Sequence, residues 1–486
     1  MKEVYIISDL HLGGEPAKPT ELRGFQLNTH GRHLAAFITQ LAEQEDRQIE
    51  LIINGDLVDF LAEAPWAAFE YNTAQAIQKL KRIMRREAPV FTALQQFLCS
   101  SNHSLVLLPG NHDLELCLPA LRRVFEEAIG ATGANFRFLY DGEAYIIGTE
   151  VLVEHGNRYD AWNSADDNNL RLLREKMSRA EKTGPDTFRA PKGSALVEQI
   201  MNPMKEKYRF IDLLKPETGA VIPILLALEP NLRTKIDDLL RIYLSDTALG
   251  GITGRNLPSD GTEKSGTTLA PEEDLVNREL QQLMNDEDLQ EFLSATDAAT
   301  TPEINTGNED STREPVTERK FDFGFVTGVL QLLLFNHRNT LTQRLPALLR
   351  ALQALQNDKT FDIATETFTE YLTAAKKLAA NGYRYIVFGH THLAKKIHMG
   401  NDAWYFNSGT WADLMAFPTH IVAAGNKQTA LAHLEQFVEE ITLTNLAEHI
   451  RFNPTCVYIR LDAYEKVQQI DLLSYQWQTK TLEPLN

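Results

Sequence analysis

Leu105-Val106-Leu107-Leu108-Pro109-Gly110-Asn111-His112-Asp113 decides how this chain is read. A short apolar run that ends at a glycine fits a buried strand. The Asn-His-Asp that follows has no packing purpose. It lies on a loop leaving the end of a strand, and open α/β sheets bind their ligands at that rim.

Four other segments repeat the arrangement. Residues 4–7 are apolar and lead to Ser8-Asp9-Leu10-His11. Residues 49–53 lead to Gly55-Asp56-Leu57-Val58-Asp59. Residues 145–147 and 151–153 lead to His155-Gly156-Asn157, and residues 385–388 lead to Gly389-His390-Thr391-His392. Taken singly, Asp9-Leu10-His11 is a weak signal, and Gly55-Asp56 reads equally well as an ordinary turn. The joint order carries the reading. Gly55, Gly110 and Gly389 let the backbone turn sharply and approach a shared centre without a Cβ clash. Carboxylates, imidazoles and an amide together suit a borderline divalent ion such as Mn, Fe, Zn or Ni. No cysteine takes part, which argues against a structural zinc site.

These five motifs resemble those of the calcineurin-like metallophosphoesterases: D-x-H, G-D-x-x-D, G-N-H-[DE], H and G-H-x-H. The resemblance implies an α/β fold, a four-layer α/β/β/α sandwich, here with a large, mostly helical cap insertion. It implies two divalent metal ions, with manganese the first expectation. Asp9, His11 and His392 would hold the first ion and Asn111, His155 and His390 the second, with Asp56 bridging both. His112 would stabilise developing charge and protonate the leaving oxygen, with Asp113 orienting its imidazole. A bridging hydroxide would attack phosphorus in line. Such a pair of ions, about 3.5–4 Å apart, clamps a phosphoryl group. Asp59 reads as an outer partner or a helix cap rather than a ligand.

The implied reaction is hydrolysis of a phosphodiester, pyrophosphate or phosphomonoester, the substrate being a nucleotide or a nucleotide-lipid. The branch that looks closest is that of UDP-2,3-diacylglucosamine pyrophosphatases, which share Ser8-Asp9-Leu10-His11-Leu12, Gly-Asp-Leu, His-Gly and Gly-His-Thr-His. They usually carry Arg where this chain has His112, and they are about half as long. A metal-dependent nuclease and a non-catalytic scaffold of the same fold stand as alternatives. Phe60-Leu61 after Asp59 departs from the Arg-Gly of phosphoprotein phosphatases.

Composition narrows the choice. The chain has 486 residues, 43% of them hydrophobic, which is enough for a substantial core. A net charge of −18 argues against general duplex binding, which depends on neutralising phosphates. Three cysteines, Cys99, Cys117 and Cys456, form no metal motif and read as reduced thiols, pointing to a cytoplasmic protein. A strand begins almost at the first residue, so no signal peptide is expected. No apolar run approaches the roughly 18 residues of a membrane span.

More than two hundred residues separate the fourth motif from the fifth. Residues 1–160 are therefore read as the first part of the core, 161–322 as a helical and acidic cap, 323–382 as helices returning to the core, and 383–486 as its second part. The stretch 258–318 is acidic and rich in Thr, Ser, Gly and Asn, which favours a solvated linker or lid. Leu280, Leu283, Met284, Leu289 and Phe292 within it fall at helical spacing. Residues 221–228 are continuously apolar and precede a basic amphipathic stretch at 231–243. They read as a buried cap helix or as a greasy wall for a lipid chain or bilayer surface. Leu345, Leu348, Leu349, Leu352 and Leu355 share one helical face and read as core.

Arg158 and Asn157 lie close enough to His155 in sequence to contact a substrate phosphate, and an Arg fork can bind two oxygens. Asn407-Ser408-Gly409-Thr410-Trp411 reads as a second substrate-facing turn. The strands at 456–461 and 467–473 are expected to complete the second sheet. His30, His33, His103, His337, His398, His420, His433 and His449 lack such context and read as surface or satisfied core residues.

Overall fold

The computed structural model describes residues 1–15, 25–232, 323–334, 338–443 and 446–485. Met1–Leu228 and Gly324–Asn486 form one compact unit. A second unit, Glu229–Phe323, is described only at its ends, so the acidic stretch, the expected helix at 276–292 and the basic stretch beyond residue 232 lie outside the described residues. Residues 161–228 of the expected cap belong to the first unit.

The strands, in chain order, are β1 Lys2–Ile7, β2 Gln48–Asn54, β3 His103–Leu108, β4 Phe136–Phe138, β5 Tyr145–Ile147, β6 Val151–Val153, β7 Leu214–Lys215, β8 Tyr385–Phe388, β9 Lys395–Gly400 and β10 Ala403–Asn407. They continue with β11 Leu414–Ala416, β12 Ile450–Arg451, β13 Thr455–Leu461, β14 Val467–Gln476 and β15 Thr481–Pro484. One sheet has seven strands in the order β15-β14-β13-β1-β2-β3-β4, and another has five in the order β5-β6-β8-β10-β9. A small third sheet orders β12-β11-β7. β1 to β4 run parallel, as do β6, β8 and β10.

Three apolar clusters separate four layers. Val4, Ile6, Ile52, Val106, Val153, Val387, Phe406 and Val457 fill the space between the two large sheets. Ile7, Leu51, Ile53 and Leu107, on the opposite face of the first sheet, pack against Leu34, Ile38, Leu80, Ile83, Leu94 and Leu121 of its covering helices. Leu152, Ile386 and Tyr405, on the outer face of the second sheet, meet Tyr371, Ala374 and Ala375 of the helix Thr369–Ala380. Strands buried on both faces read as continuous apolar runs, which is how the sequence presents β1, β2, β3, β6 and β8. The covering helices follow their period. In Thr73–Arg86, Ala76, Leu80 and Ile83 face inward, and Asn72 caps the first turn by accepting from Ala74 N and Gln75 N. The architecture is the expected α/β/β/α sandwich.

One expectation fails. β13 and β14 do not complete the second sheet; β13 pairs antiparallel with β1 and extends the first. The parallel run β1 to β4 leaves β1 at an edge, and the apolar β13 closes it.

The apolar stretch 221–228 is buried. Its helix, Ile222–Leu228, packs on the helix Leu341–Leu352, whose Leu345, Leu348, Leu349 and Leu352 form the expected core face. Among the described residues, no helix is long and apolar enough to cross a membrane, and all three cysteines are unpaired.

Candidate metal centre

All five motifs leave the carboxyl ends of parallel strands: β1, β2 and β3 of the first sheet, β6 and β8 of the second. The rim of the sandwich thus brings together residues far apart in the chain, as where His390 N donates to Asp9 Oδ2, 381 positions away, at 2.9 Å. The loops after β1 and β2 lie side by side. Leu10 N and His11 N both donate to Asp56 O, at 2.9 and 2.8 Å, and Leu12 N donates to Leu57 O. The two sheets are stapled where Asn54 Nδ2 donates to Glu154 O and His155 Nδ1 meets Asn54 O, each at 2.8 Å.

The backbone is bent to hold this arrangement. Asp9, His11, Asp56, His390 and His392 all have positive φ, between 43° and 71°. For non-glycine residues this conformation costs about 1–3 kcal/mol each and persists only where the surroundings impose it. The glycines act through close approach. A Cβ on Gly55 would lie 2.2 Å from His155 Nδ1, and one on Gly110 would lie 2.0 Å from Asp56 Oδ1. At Gly389 it would lie 2.5 Å from Ser8 Oγ. Only Gly55 of the three also needs a positive φ.

The predicted ligands fall into two groups. Atoms of Asp9, His11 and His392 lie within 4.8 Å of one another, as do atoms of Asp56, His155 and His390. Ligands sharing one ion at about 2.1 Å lie about 3.0–3.4 Å apart. His11 Nε2 is 3.0 Å from His392 Nε2, and His392 Nε2 is 3.5 Å from Asp9 Oδ1. Asp56 Oδ2 stands 3.2 Å from His155 Nε2 and 3.6 Å from His11 Nε2, so this one oxygen borders both groups. Asp9 Oδ1, Asn111 Oδ1 and His155 Nε2 are buried without a hydrogen-bond partner. Orphaned buried acceptors and ring nitrogens are costly. Divalent ions would satisfy them, so the residues fit the metal pair that the motifs imply.

Electrostatics agree. Burial raises the Asp56 carboxyl, but the imidazoles of His155, His112 and His11 outweigh it and hold Asp56 well below the usual carboxylate range. Burial, Lys215 and His11 keep His392 well below the usual imidazole value, in the neutral form that a ligand requires.

His112 stands at the edge of both groups, its ring 4.6 Å from that of His11, and its backbone N–H donates to Asp56 Oδ1 at 2.8 Å. Its orienting partner is not Asp113. Asp113 accepts from Gly110 N at 2.7 Å and Leu57 N at 2.8 Å, which ties two motif loops together. Asp59 takes the predicted role. Its Oδ1 lies 3.1 Å from His112 Nδ1 and its Oδ2 3.2 Å from His11 Nδ1, while Ala62 N donates to Oδ1 at 2.9 Å. Burial opposes a charge on His112, but Asp59 and Asp56 prevail and raise its pKa to about 9.

Three further residues were not predicted. Asp160 Oδ2 lies 3.2 Å from His390 Nε2 and accepts from Asn163 Nδ2 at 2.7 Å. Asn111 Nδ2 points to Asn163 Oδ1 at 3.4 Å. Ser8 Oγ contacts Ser408 Oγ at 2.7 Å and Asp9 Oδ2 at 2.5 Å.

The expected substrate contacts are placed differently. Arg158 is held by Gly142 O at 2.7 Å, Asp167 at 3.4 Å and Glu154 at 3.5 Å, and Asn157 Nδ2 donates to Asn163 O. Both hold protein partners in this structure. The turn at 407–411 is buried and braces the ligand loops instead of facing substrate. Asn407 Nδ2 donates to Gly389 O at 2.6 Å, and Thr410 Oγ1 donates to Asp9 O at 2.6 Å. Among the remaining histidines, His30 pairs with Asp413 and stacks on Phe452, and His103 is satisfied by Phe97 O and Gln44 O. His337 lies outside the described residues.

No curated protein matches the chain. Residues 2–200 match the family model of calcineurin-like phosphoesterases. That span contains four of the five motifs, and the fold supplies the fifth beside them. Over residues 2–200 the chain is therefore similar to the calcineurin-like phosphoesterases, and its α/β/β/α layers agree with that likeness.

Proposed function

We propose that the protein hydrolyses a phosphodiester or pyrophosphate bond with two divalent metal ions, manganese being the first candidate. The observation that carries this reading is Asp56 Oδ2, 3.2 Å from His155 Nε2 and 3.6 Å from His11 Nε2, a single carboxylate oxygen shared by two ligand groups. Asp9, His11 and His392 would hold one ion and Asn111, His155 and His390 the other. When bound, such a pair supplies Lewis-acid polarisation of a phosphoryl oxygen and a water acidified to near neutrality.

The chain's own residues do the rest. Asp59 fixes the imidazole of His112 through Nδ1, which leaves Nε2 free to face a substrate. Asp59 and Asp56 favour the protonated form of His112 over the burial that opposes it. His112 would offset negative charge building on the phosphoryl oxygens and pass its proton to the departing oxygen. Asp113, Ser8 and the 407–410 brace hold the loops so that these groups need not reorganise during turnover.

The test is hydrolysis of bis-p-nitrophenyl phosphate and p-nitrophenyl phosphate with added Mn2+, on wild type and His112→Ala. Metal-dependent turnover of the diester is expected, with a fall of about 10²–10⁴ in the variant while its metal content holds. Undiminished turnover in His112→Ala, or none by a wild-type protein carrying two ions, would overturn the proposal.

A further inference from the structure

We propose that Lys205 and Lys215 form an anion subsite beside the metal centre that takes the second phosphoryl group of a diphosphate-linked substrate. The inference rests on the phosphoesterase reading above and narrows its substrate class. Both lysines lie beyond the residues that match the family model.

The fold carries each lysine to the rim by its own anchor. Lys205 ends the short helix Asn202–Lys205. That helix is fastened by Asn202 Nδ2, which donates to Leu61 O at 2.8 Å, two residues beyond Asp59. Phe60 N in turn donates to His112 O at 3.1 Å. Lys215 ends β7, which pairs parallel with β11, placing it opposite Ala416 just after the 407–410 brace. Met415 N donates to Leu213 O at 2.7 Å.

Both lysines are only 5% exposed. A buried ammonium is expensive unless it is paired, and each is paired to a carboxylate that solvent reaches: Lys205 to Asp212 at 2.7 Å, Lys215 to Glu217. Lys395, by comparison, is also buried, but its ammonium is taken up by the backbone carbonyls Thr360 O and Asp362 O. The other two stand close enough to the site for their charges to be felt there, Lys205 at His112 and Lys215 at His392. Glu217 is close enough to feel both lysines and His390.

The arrangement suits a second anion. A metal pair engages one phosphoryl group. Two ammonium groups on the His112 and His392 side add positive charge where a single phosphoryl group has no need of it. A second phosphate linked to the first would exchange the solvent-exposed carboxylate partners for its own oxygens, with Lys acting as a compact point charge.

The test is calorimetric binding of inorganic pyrophosphate and inorganic phosphate to the manganese-loaded full chain, with free Mn2+ in excess. Wild type is expected to prefer pyrophosphate. Lys205→Met and Lys215→Met, which keep the apolar stem, should each reduce that preference about tenfold, as loss of a charged hydrogen bond does. Lys→Arg at either position should retain it. Glu217→Gln, at an exposed carboxylate, should raise pyrophosphate affinity and needs no change in the core. An unchanged preference in the Met variants, or no gain in Glu217→Gln, would overturn the subsite alone. A wild-type protein that binds neither anion would overturn the phosphoesterase reading beneath it.

Discussion

The first ligand group, Asp9, His11 and His392, lies on the side of the rim where the charge of Lys215 reaches His392. The second, Asp56, His155 and His390, lies where Asp160 reaches His390 Nε2 at 3.2 Å. The residue types match and the surroundings do not. On the first side, burial and nearby cations hold an imidazole neutral. On the second, burial opposes a charge on His155, but Asp56 and Asp9 raise its pKa to about 10. An imidazole that prefers its proton must lose it to bind a metal, so binding on the second side should release a proton and weaken more steeply at low pH. The two ion sites are therefore expected to differ in affinity and pH dependence although the motifs look symmetrical.

The largest effect belongs to the residue that ends the comparison by joining both sides. Asp56→Asn should strip both ions, with a loss beyond the about 10–100-fold that removing an outer partner costs. Metal analysis after dialysis checks it. Asp59→Asn should act on the first side and on His112 together, because one carboxylate serves both imidazoles. A fall of about 10–100-fold in turnover is expected, with the alkaline limit of the rate profile moving down as His112 loses its carboxylate. Asp160→Asn should weaken only the second side, about tenfold, visible as one shifted step in a two-step Mn2+ titration. A shift of both steps would erase the distinction between the sides.

The smallest expected effect lies away from both. Burial raises the Glu115 carboxyl to about 7, against an accepted hydrogen bond from Glu70 N at 2.9 Å. Its folded pKa exceeds its unfolded value of about 4.5, so the group favours folding below that value and this contribution is lost as pH rises toward 7. Glu115→Gln, which keeps the acceptor, should raise the Tm of metal-free protein by about 2–4 °C at pH 8 and leave it unchanged near pH 4.5. Melting curves at the two pH values decide it.

The ligands were legible because each is local: an apolar strand, a glycine or bend, then a donor. Their outer partners were not. Asp113 adjoins His112 in the chain, yet its carboxylate is taken up by Gly110 N and Leu57 N, and the carboxylate that reaches the imidazole comes from another loop. Asp160 carries no motif and is defined only by where His390 folds to meet it. Arg158 follows His155 closely but pairs with Glu154 and Asp167. The partner of β13 could not be read either, because its alternation of buried Val457, Ile459 and Leu461 with Tyr458 and Arg460 tells which face is covered, not which sheet it joins. Lys205 and Lys215 look ordinary in sequence and gain meaning only from burial and from the anchors that bring them to the rim.

The most direct test of the shared carboxylate is calorimetric titration of Mn2+ into metal-stripped protein, wild type against Asp56→Asn. Two ions per wild-type chain, and fewer than one in the variant, are predicted. One ion in wild type, or two retained by Asp56→Asn, would contradict a centre built around Asp56.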